Sequence, residues 1–323
     1  MTRVAIIGCG RIGERRARAL NGCTLAVCCD TVRERAEALS QMSPGAEVCL
    51  DWRCTVRRPD VDIVLIATTH NCLAPIAAAA VAAGKHVLVE KPGAMRSAEL
   101  LPVAQGARQA GVCVRVGFNH RYHRAIQKAH ELFASGTIGP LMFIRGRYGH
   151  GGRLGYEKEW RANPDLSGGG ELLDQGVHLI DLARWFLGDF CEAKGFTATL
   201  FWDMPVDDNA FLLLRTRNGQ VASLHATWTE WKNLFSLEIY GRLGKLELSG
   251  LGGSYGVERL THYEMSQEMG PPAATTWEYP MADNSWDLEF ANFLDDIRCK
   301  REPSPGLTDA IAALDIVEKL YRS

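Results

Sequence analysis

Residues 4–13 read VAIIGCGRIG, and Asp30 closes the next apolar run, 25–29. The β-branched stretch 4–7 predicts a strand and 11–20 a helix, so Gly8, Gly10 and Gly13 form a G-x-G-x-x-G turn between them. Glycine is common and the bare pattern is weak; a preceding strand, a following helix and a later acidic residue make it specific. Gly8 permits the tight turn, Gly10 lets a pyrophosphate approach the backbone, and Gly13 allows helix and strand to pack closely. The helix start adds N–H groups and the positive end of its dipole. Asp30 can accept hydrogen bonds from both ribose hydroxyls and repel a 2′-phosphate, which favours NAD over NADP. Gly8, Cys9, Gly10, Arg11, Ile12, Gly13 and Asp30 are therefore candidate cofactor contacts, while Arg33 and Arg35 read as solvated charges on the next helix.

Outward from this turn, strand and helix alternate. Strands are expected at 4–7, 25–29, 63–67, 86–89 and 112–116, with helices at 11–20, 32–40, 74–83 and 98–110. Apolar strands alternating with helices predict a doubly wound parallel sheet, the Rossmann arrangement of an α/β protein. After about residue 120 the pattern changes. A helix at 125–134, a strand at 141–148 and a helix at 171–187 precede expected strands at 196–201, 210–216, 221–228, 235–240 and 245–249. Two helices, 286–299 and 308–321, end the chain. The expected division is 1–120, a cofactor domain, and 121–323, an α+β domain with an open-faced, mainly antiparallel sheet for substrate binding and oligomerisation.

Composition narrows the class. Hydrophobic residues make up 46% and charged residues 23%, which is globular rather than disordered. A net charge of -2 without a basic stripe argues against nucleic acid or a membrane surface as partner. The first residues have too short an apolar run for a signal peptide, and no stretch has transmembrane length. The ten cysteines are scattered without a CxxC pair, which fits buried reduced thiols in a cytoplasmic protein better than disulfides or zinc.

Further candidates lie where the C-terminal strand ends of a parallel sheet gather residues around a ligand. Thr68, Thr69, His70 and Asn71 follow one strand, Glu90, Lys91 and Pro92 another, and Asn119, His120 and Arg121 a third. Asp174 and His178, four apart on an expected helix, share a face. His120 and His123 lack a carboxylate or cysteine at ligand spacing, so no metal is expected. The loop before Gly170 carries Arg147, Tyr148, His150, Arg153, Tyr156, Lys158, Trp160 and Arg161. Donors interleaved with rings suit a polyhydroxylated small molecule, and the glycines suggest a lid.

The segments VAIIGCGRIG (4–13), AGKHVLVEKP (83–92), GFNHRYH (117–123) and GGGELLDQGVHLIDLARWFLG (168–188) occur in an order and spacing that resembles the glucose–fructose oxidoreductase/inositol dehydrogenase/rhizopine-catabolism (Gfo/Idh/MocA) family over nearly the whole chain. The resemblance implies NAD-dependent interconversion of a secondary alcohol and a ketone on a sugar, aminosugar or cyclitol, with Lys91, Asp174 and His178 as catalytic set. His178 can accept the hydroxyl proton, Lys91 can donate to the substrate oxygen, and Asp174 can bind a neighbouring hydroxyl or orient His178; whether Lys91 or His178 is the main proton carrier is left open. Asn119, His120, Arg121, Tyr148, Trp160, Arg161 and Gln175 complete the expected substrate contacts. A sugar-nucleotide 3-dehydrogenase or ketoreductase is the alternative enzyme, and a non-catalytic NAD- and sugar-sensing protein the alternative of another class. The broad sheet needs cover on its outer side, so a homodimer or homotetramer is expected.

Overall fold

The computed structural model describes residues 1–322 and divides into two compact units. The first consists of Met1–Phe118, Asp165–Gly168 and Trp286–Leu314. Its elements in order are β1 (Arg3–Ile7), α1 (Arg11–Arg18), β2 (Thr24–Cys29), α2 (Arg33–Ser40), β3 (Glu47–Cys49), α3 (Trp52–Val56), β4 (Ile63–Ile66), α4 (His70–Ala82), β5 (His86–Glu90), α5 (Ser97–Ala110) and β6 (Val114–Gly117). The strands pair in the order β3-β2-β1-β4-β5-β6, all parallel, as the alternating pattern predicts. The order reverses between β1 and β4, where the loops after neighbouring strands diverge and leave a crevice. Val4, Ile6, Ile63, Leu65 and Leu88 are buried as near-continuous apolar strands must be when both faces are covered.

Three local readings differ. Strand β3 and helix α3 were not anticipated, because three and five residues are too short to show a period. Helix α4 begins at His70 rather than 74, which places His70 and Asn71 in its first turn instead of a loop. The helix Ser285–Cys299, expected in the second domain, sends Phe290 and Phe293 into the core of the first. These two residues share a helical face, and that face finds its apolar partner in the parallel sheet.

The second unit consists of Asn119–Pro164, Gly169–Ser285 and Asp315–Ser323. It contains α6 (Arg124–Ala134), β7 (Leu141–Gly149), α8 (Val177–Leu187), and strands β8 (Phe190–Ala198), β9 (Asn209–Thr216), β10 (Val221–Thr227), β11 (Leu234–Gly241), β12 (Gly244–Ser249), β13 (Glu258–Glu264) and β14 (Ala274–Tyr279), while the short α7 (Pro164–Ser167) falls at the unit boundary, all but Pro164 in the first unit. Helices α9 (Ser285–Cys299) and α10 (Leu307–Tyr321) follow. The strand order is β14-β13-β12-β11-β7-β10-β9-β8, antiparallel except for the β7–β10 pair. Leu212, Leu214, Leu224 and Leu237 are buried, with Leu224 and Leu237 meeting Leu179 of α8 around Gly146, whereas Phe211, Leu213 and Arg145 are exposed. The sheet is open-faced, as expected.

Strand β8 lies earlier than the expected 196–201. The carboxylate of Asp208 accepts N–H bonds from Leu200 and Phe201, each 2.8 Å, and from Trp202 at 3.0 Å, which curls that segment into a turn. Residues 150–164, expected to be a mobile loop, instead carry a small core of their own. Tyr156 and Ala162 are buried with Met204, Val206 and Trp228. The Tyr156 ring meets Trp228 edge-on at 4.9 Å.

Candidate functional site

In the first unit the glycine turn is dictated by backbone crowding. Gly8 has φ +96°, and a Cβ there would stand 2.4 Å from the Ala67 carbonyl oxygen. A Cβ on Gly13 would lie 2.0 Å from the Gly8 oxygen, so α1 approaches β1 more closely than any side chain permits. Gly10 differs: a Cβ there would meet nothing within 4 Å. It caps α1 without a side-chain hydrogen bond, and the space before the helix start is open. This is the cradle a pyrophosphate requires. Cys9 is buried, its thiol pushed up by desolvation and so held neutral.

Asp30 sits just past β2. Its carboxylate accepts N–H bonds from Cys9 and Val32, both 2.8 Å, so it ties the glycine turn to the end of the second strand. Each oxygen retains capacity for a ribose hydroxyl. Arg33 pairs with Glu37 at 3.6 Å on the exposed side of α2, in keeping with a solvated charge.

Past β4, Thr68, Thr69 and Asn71 are half-buried, and the Thr69 hydroxyl donates to Asn71 Oδ1 at 2.8 Å. His70 is buried, with Nδ1 2.8 Å from the Ser167 carbonyl, which gives it a scaffold role. Glu90 ends β5 in a buried ion pair with Arg16, Nε to Oε1 2.7 Å. Lys91 and Pro92 occupy the middle of a tight turn, closed by the Gly93 N–H donating to the Glu90 carbonyl at 2.9 Å.

In the second unit one helical stretch carries Asp174, Gln175 and His178. Its first turn, Leu172–Gly176, is a π-turn that widens the backbone under Asp174 and Gln175 before α8 begins. Asp207 anchors its start, accepting from the N–H groups of Gly170 and Leu172 at 3.0 and 2.8 Å and from the Tyr321 hydroxyl at 2.7 Å. Asp174 Oδ2 accepts from Arg161 Nε at 2.8 Å, and the Arg161 guanidinium stacks 4.6 Å from the Trp160 ring. The Asp174 charge holds Arg161 firmly protonated.

His178 stacks on His120, centroids 3.7 Å apart, and Tyr148 meets His120 edge-on at 5.1 Å. Tyr148 is buried, and burial together with its hydrogen bond to Tyr255 keeps its hydroxyl protonated. Asp174, Gln175, His178, His120, Tyr148, Trp160 and Arg161, spread over 59 positions of the sequence from 120 to 178, thus fall into one neighbourhood of donors, acceptors and rings.

Asn119 and Arg121 do not join it. Asn119 Nδ2 donates to Ser285 Oγ at 3.0 Å, and Arg121 is buried with its Nε on Asp181 Oδ2 at 2.8 Å. Both hold the scaffold. One residue was missed by sequence, and one loop candidate, His150, has a strongly shifted ring. Tyr255, in a turn without periodic context, bonds Tyr148 and Gln175; burial, with the charges of Glu171 and Asp174, pushes its hydroxyl up to about 12 against the opposing pull of those two hydrogen bonds. His150 is pushed down to about 4, chiefly by burial, and its Nδ1 accepts the Gly152 N–H at 2.9 Å. Among the described residues there is no cluster of metal-ligating side chains and no helix long and apolar enough to cross a membrane.

Two family models match the chain. Residues 2–118 match the oxidoreductase family NAD-binding Rossmann fold, and residues 126–247 match the GFO/IDH/MocA C-terminal domain. Inositol 2-dehydrogenase from Gluconacetobacter diazotrophicus is 30% identical over 302 residues, 90% of this chain and 85% of that protein. Levoglucosan dehydrogenase from Pseudarthrobacter phenanthrenivorans is 29% identical over 223 residues, 61% of this chain and 57% of that protein. A levoglucosan dehydrogenase structure, in complex with NADH and L-sorbose, superposes with a TM-score of 0.89 at 24% identity, covering 100% of this chain and 97% of that one, a likeness of fold. With both domain models matched in order along it, the chain belongs to the Gfo/Idh/MocA family of NAD-dependent oxidoreductases.

Proposed function

We propose that the protein interconverts a secondary alcohol and a ketone on a sugar, aminosugar or cyclitol ring, with Lys91, Asp174 and His178 as its catalytic set. The observation that carries this reading is the neighbourhood around Asp174 and His178. Acceptors and donors alternate there with the rings of Tyr148, Trp160 and His120, which is the lining a polyhydroxylated ligand needs. The names of the relatives, an inositol 2-dehydrogenase and a levoglucosan dehydrogenase, support the same substrate class.

NAD, held at the glycine turn and Asp30, supplies the hydride acceptor for oxidation. The chain's own residues manage the proton and the substrate. His178 takes the hydroxyl proton, a task suited to an imidazole near neutral pH. Lys91 donates to the reacting oxygen and balances its developing charge. Asp174, held by Arg161, accepts from a neighbouring hydroxyl and so selects which ring carbon presents its hydrogen. Thr68, Thr69 and Asn71 add polar contacts to the cofactor, while Arg16 already occupies the Glu90 carboxylate.

The outer face of the second sheet exposes Phe196, Phe211 and Leu213 along its β8–β9 edge. A homodimer or homotetramer covering that face is the assembly we propose, and light scattering at micromolar concentration reads it. A cytoplasmic location is in keeping with ten free cysteines. The test of the activity is a panel of cyclitols, glycosides, aminosugars and nucleotide sugars with NAD and with NADP, followed by absorbance of the reduced cofactor. Turnover of a cyclitol or glycoside that is lost in Lys91→Ala and His178→Asn supports the reading. NAD binding without turnover of any member overturns it.

A further inference from the structure

A buried ion cluster lies next to Lys91 in the chain, on Glu90. Arg16, on the helix that the glycine turn opens, is 1% exposed. Its Nε donates to Glu90 Oε1 at 2.7 Å, its Nη1 donates to Glu289 Oε2 at 2.5 Å, and the Trp286 ring lies 4.4 Å from the guanidinium carbon. One guanidinium thus joins α1, the end of β5 and α9. Strand β6 leaves room for it: Gly117 pairs with Glu90, and a Cβ on Gly117 would stand 2.7 Å from Arg16 Nη2 and 3.1 Å from Glu90 Oε2. The fully buried guanidinium has no space into which to retreat.

We propose that Arg16 is a positioning residue for Lys91. Glu90 is the last residue of β5 and Lys91 the next, so a Glu90 side chain held by Arg16 fixes the strand end from which the Lys91 turn departs. The backbone turn closed by Gly93 onto Glu90 secures the other side of Lys91. The same guanidinium belongs to the helix whose start forms the pyrophosphate cradle, so Lys91 and the cofactor turn share one rigid reference. Lysine cannot replace this arginine conservatively, because an ammonium lacks the planar fork that engages two carboxylates. The catalytic importance of this positioning rests on the role of Lys91 proposed above; the placement of the amine itself does not.

The experiment measures acetic anhydride labelling of Lys91 against pH by peptide mass spectrometry, with Lys128 and Lys245 as internal references. Wild type, Arg16→Lys, Glu90→Gln and Gly117→Ala are compared with and without NAD, each checked for folding by thermal melt. The expected result is a changed rate or midpoint of labelling at Lys91 alone. In the same variants kcat on the best panel substrate falls about tenfold, more than KM changes, as a misplaced group costs turnover. Folded variants whose Lys91 labels as in wild type overturn the proposal, even where their melting temperatures drop. If Arg16→Lys does not fold, Glu90→Gln and Gly117→Ala carry the test. Altered labelling with unchanged turnover upholds the positioning and removes Lys91 from catalysis, so the two readings fail separately.

Discussion

The imidazole of His178 lies on that of His120, centroids 3.7 Å apart and planes 16° from parallel. The first ring belongs to α8 and the second to the turn after β6, so the stack holds the proposed base against a separate element. Replacing His178 with Asn is expected to lower kcat by roughly a hundredfold or more, the usual worth of a general base. His120→Ala, which removes only the supporting ring, is expected to cost up to about tenfold, since ring contacts contribute about 0.5–1.5 kcal/mol. Steady-state rates with the best panel substrate check both, and equal losses would show that His120 does more than support.

Asp30 ties the glycine turn to the end of β2 and is the proposed ribose ligand. Asp30→Asn keeps the shape but removes the charge that repels a 2′-phosphate, and it offers an N–H where Cys9 or Val32 needs an acceptor. NAD affinity should fall by about tenfold or more, given about 1.5–3 kcal/mol for hydrogen bonds to charged groups. The preference for NAD over NADP should narrow. Titrations of both cofactors by protein fluorescence measure it, and an unchanged preference would remove Asp30 as the selecting residue.

Arg161 holds Asp174 from a segment that packs through Tyr156 and Ala162 rather than moving freely. Arg161→Ala should raise KM by about ten- to a hundredfold through the loss of one charge-assisted bond on the carboxylate proposed to bind substrate. Arg161→Lys should recover part of it. A KM unaffected by either change would mean that Asp174 is oriented by its helix alone.

Glu258 gives the second unit an acid sensitivity. Burial works against its ionised form, but the hydrogen bond and charge of His123, 2.6 Å away, and the N–H groups of Gly252 and Ala125 outweigh it and hold the carboxyl below its ordinary value. The unfolded chain therefore binds the proton more tightly than the folded one. The stability this contributes is complete above the ordinary glutamate value of 4.5 and is lost as pH falls through the lower folded value. Thermal melts between about pH 3 and about pH 6 should show this decline, and Glu258→Gln should flatten it while lowering the plateau.

The parallel sheet and the cofactor turn were legible in the sequence because their signals are local. Strands such as Val4–Ile7 are apolar throughout, and the glycine spacing reports a close approach between residues a few positions apart. The open-faced sheet was legible from alternation along β9 and β10, one face apolar inward and the other mixed. Short elements without a full period, β3 and α3, were not, nor was the turn around Asp208 that displaced a strand.

Residue types and spacing marked Asp174, His178 and the loop aromatics as candidates, but only the tertiary structure showed which of them meet. Arg121 looks like a ligand-binding cation in sequence and is a buried partner of Asp181 in the fold; Tyr255 carries no sequence signal and joins the site through Tyr148 and Gln175. The bonds from Arg16 reach 74 residues along the chain to Glu90 and 273 to Glu289. Periodicity reports what a residue's neighbours along the chain require. Which distant charge a buried side chain will meet depends on how the elements pack, and no spacing in the sequence encodes it.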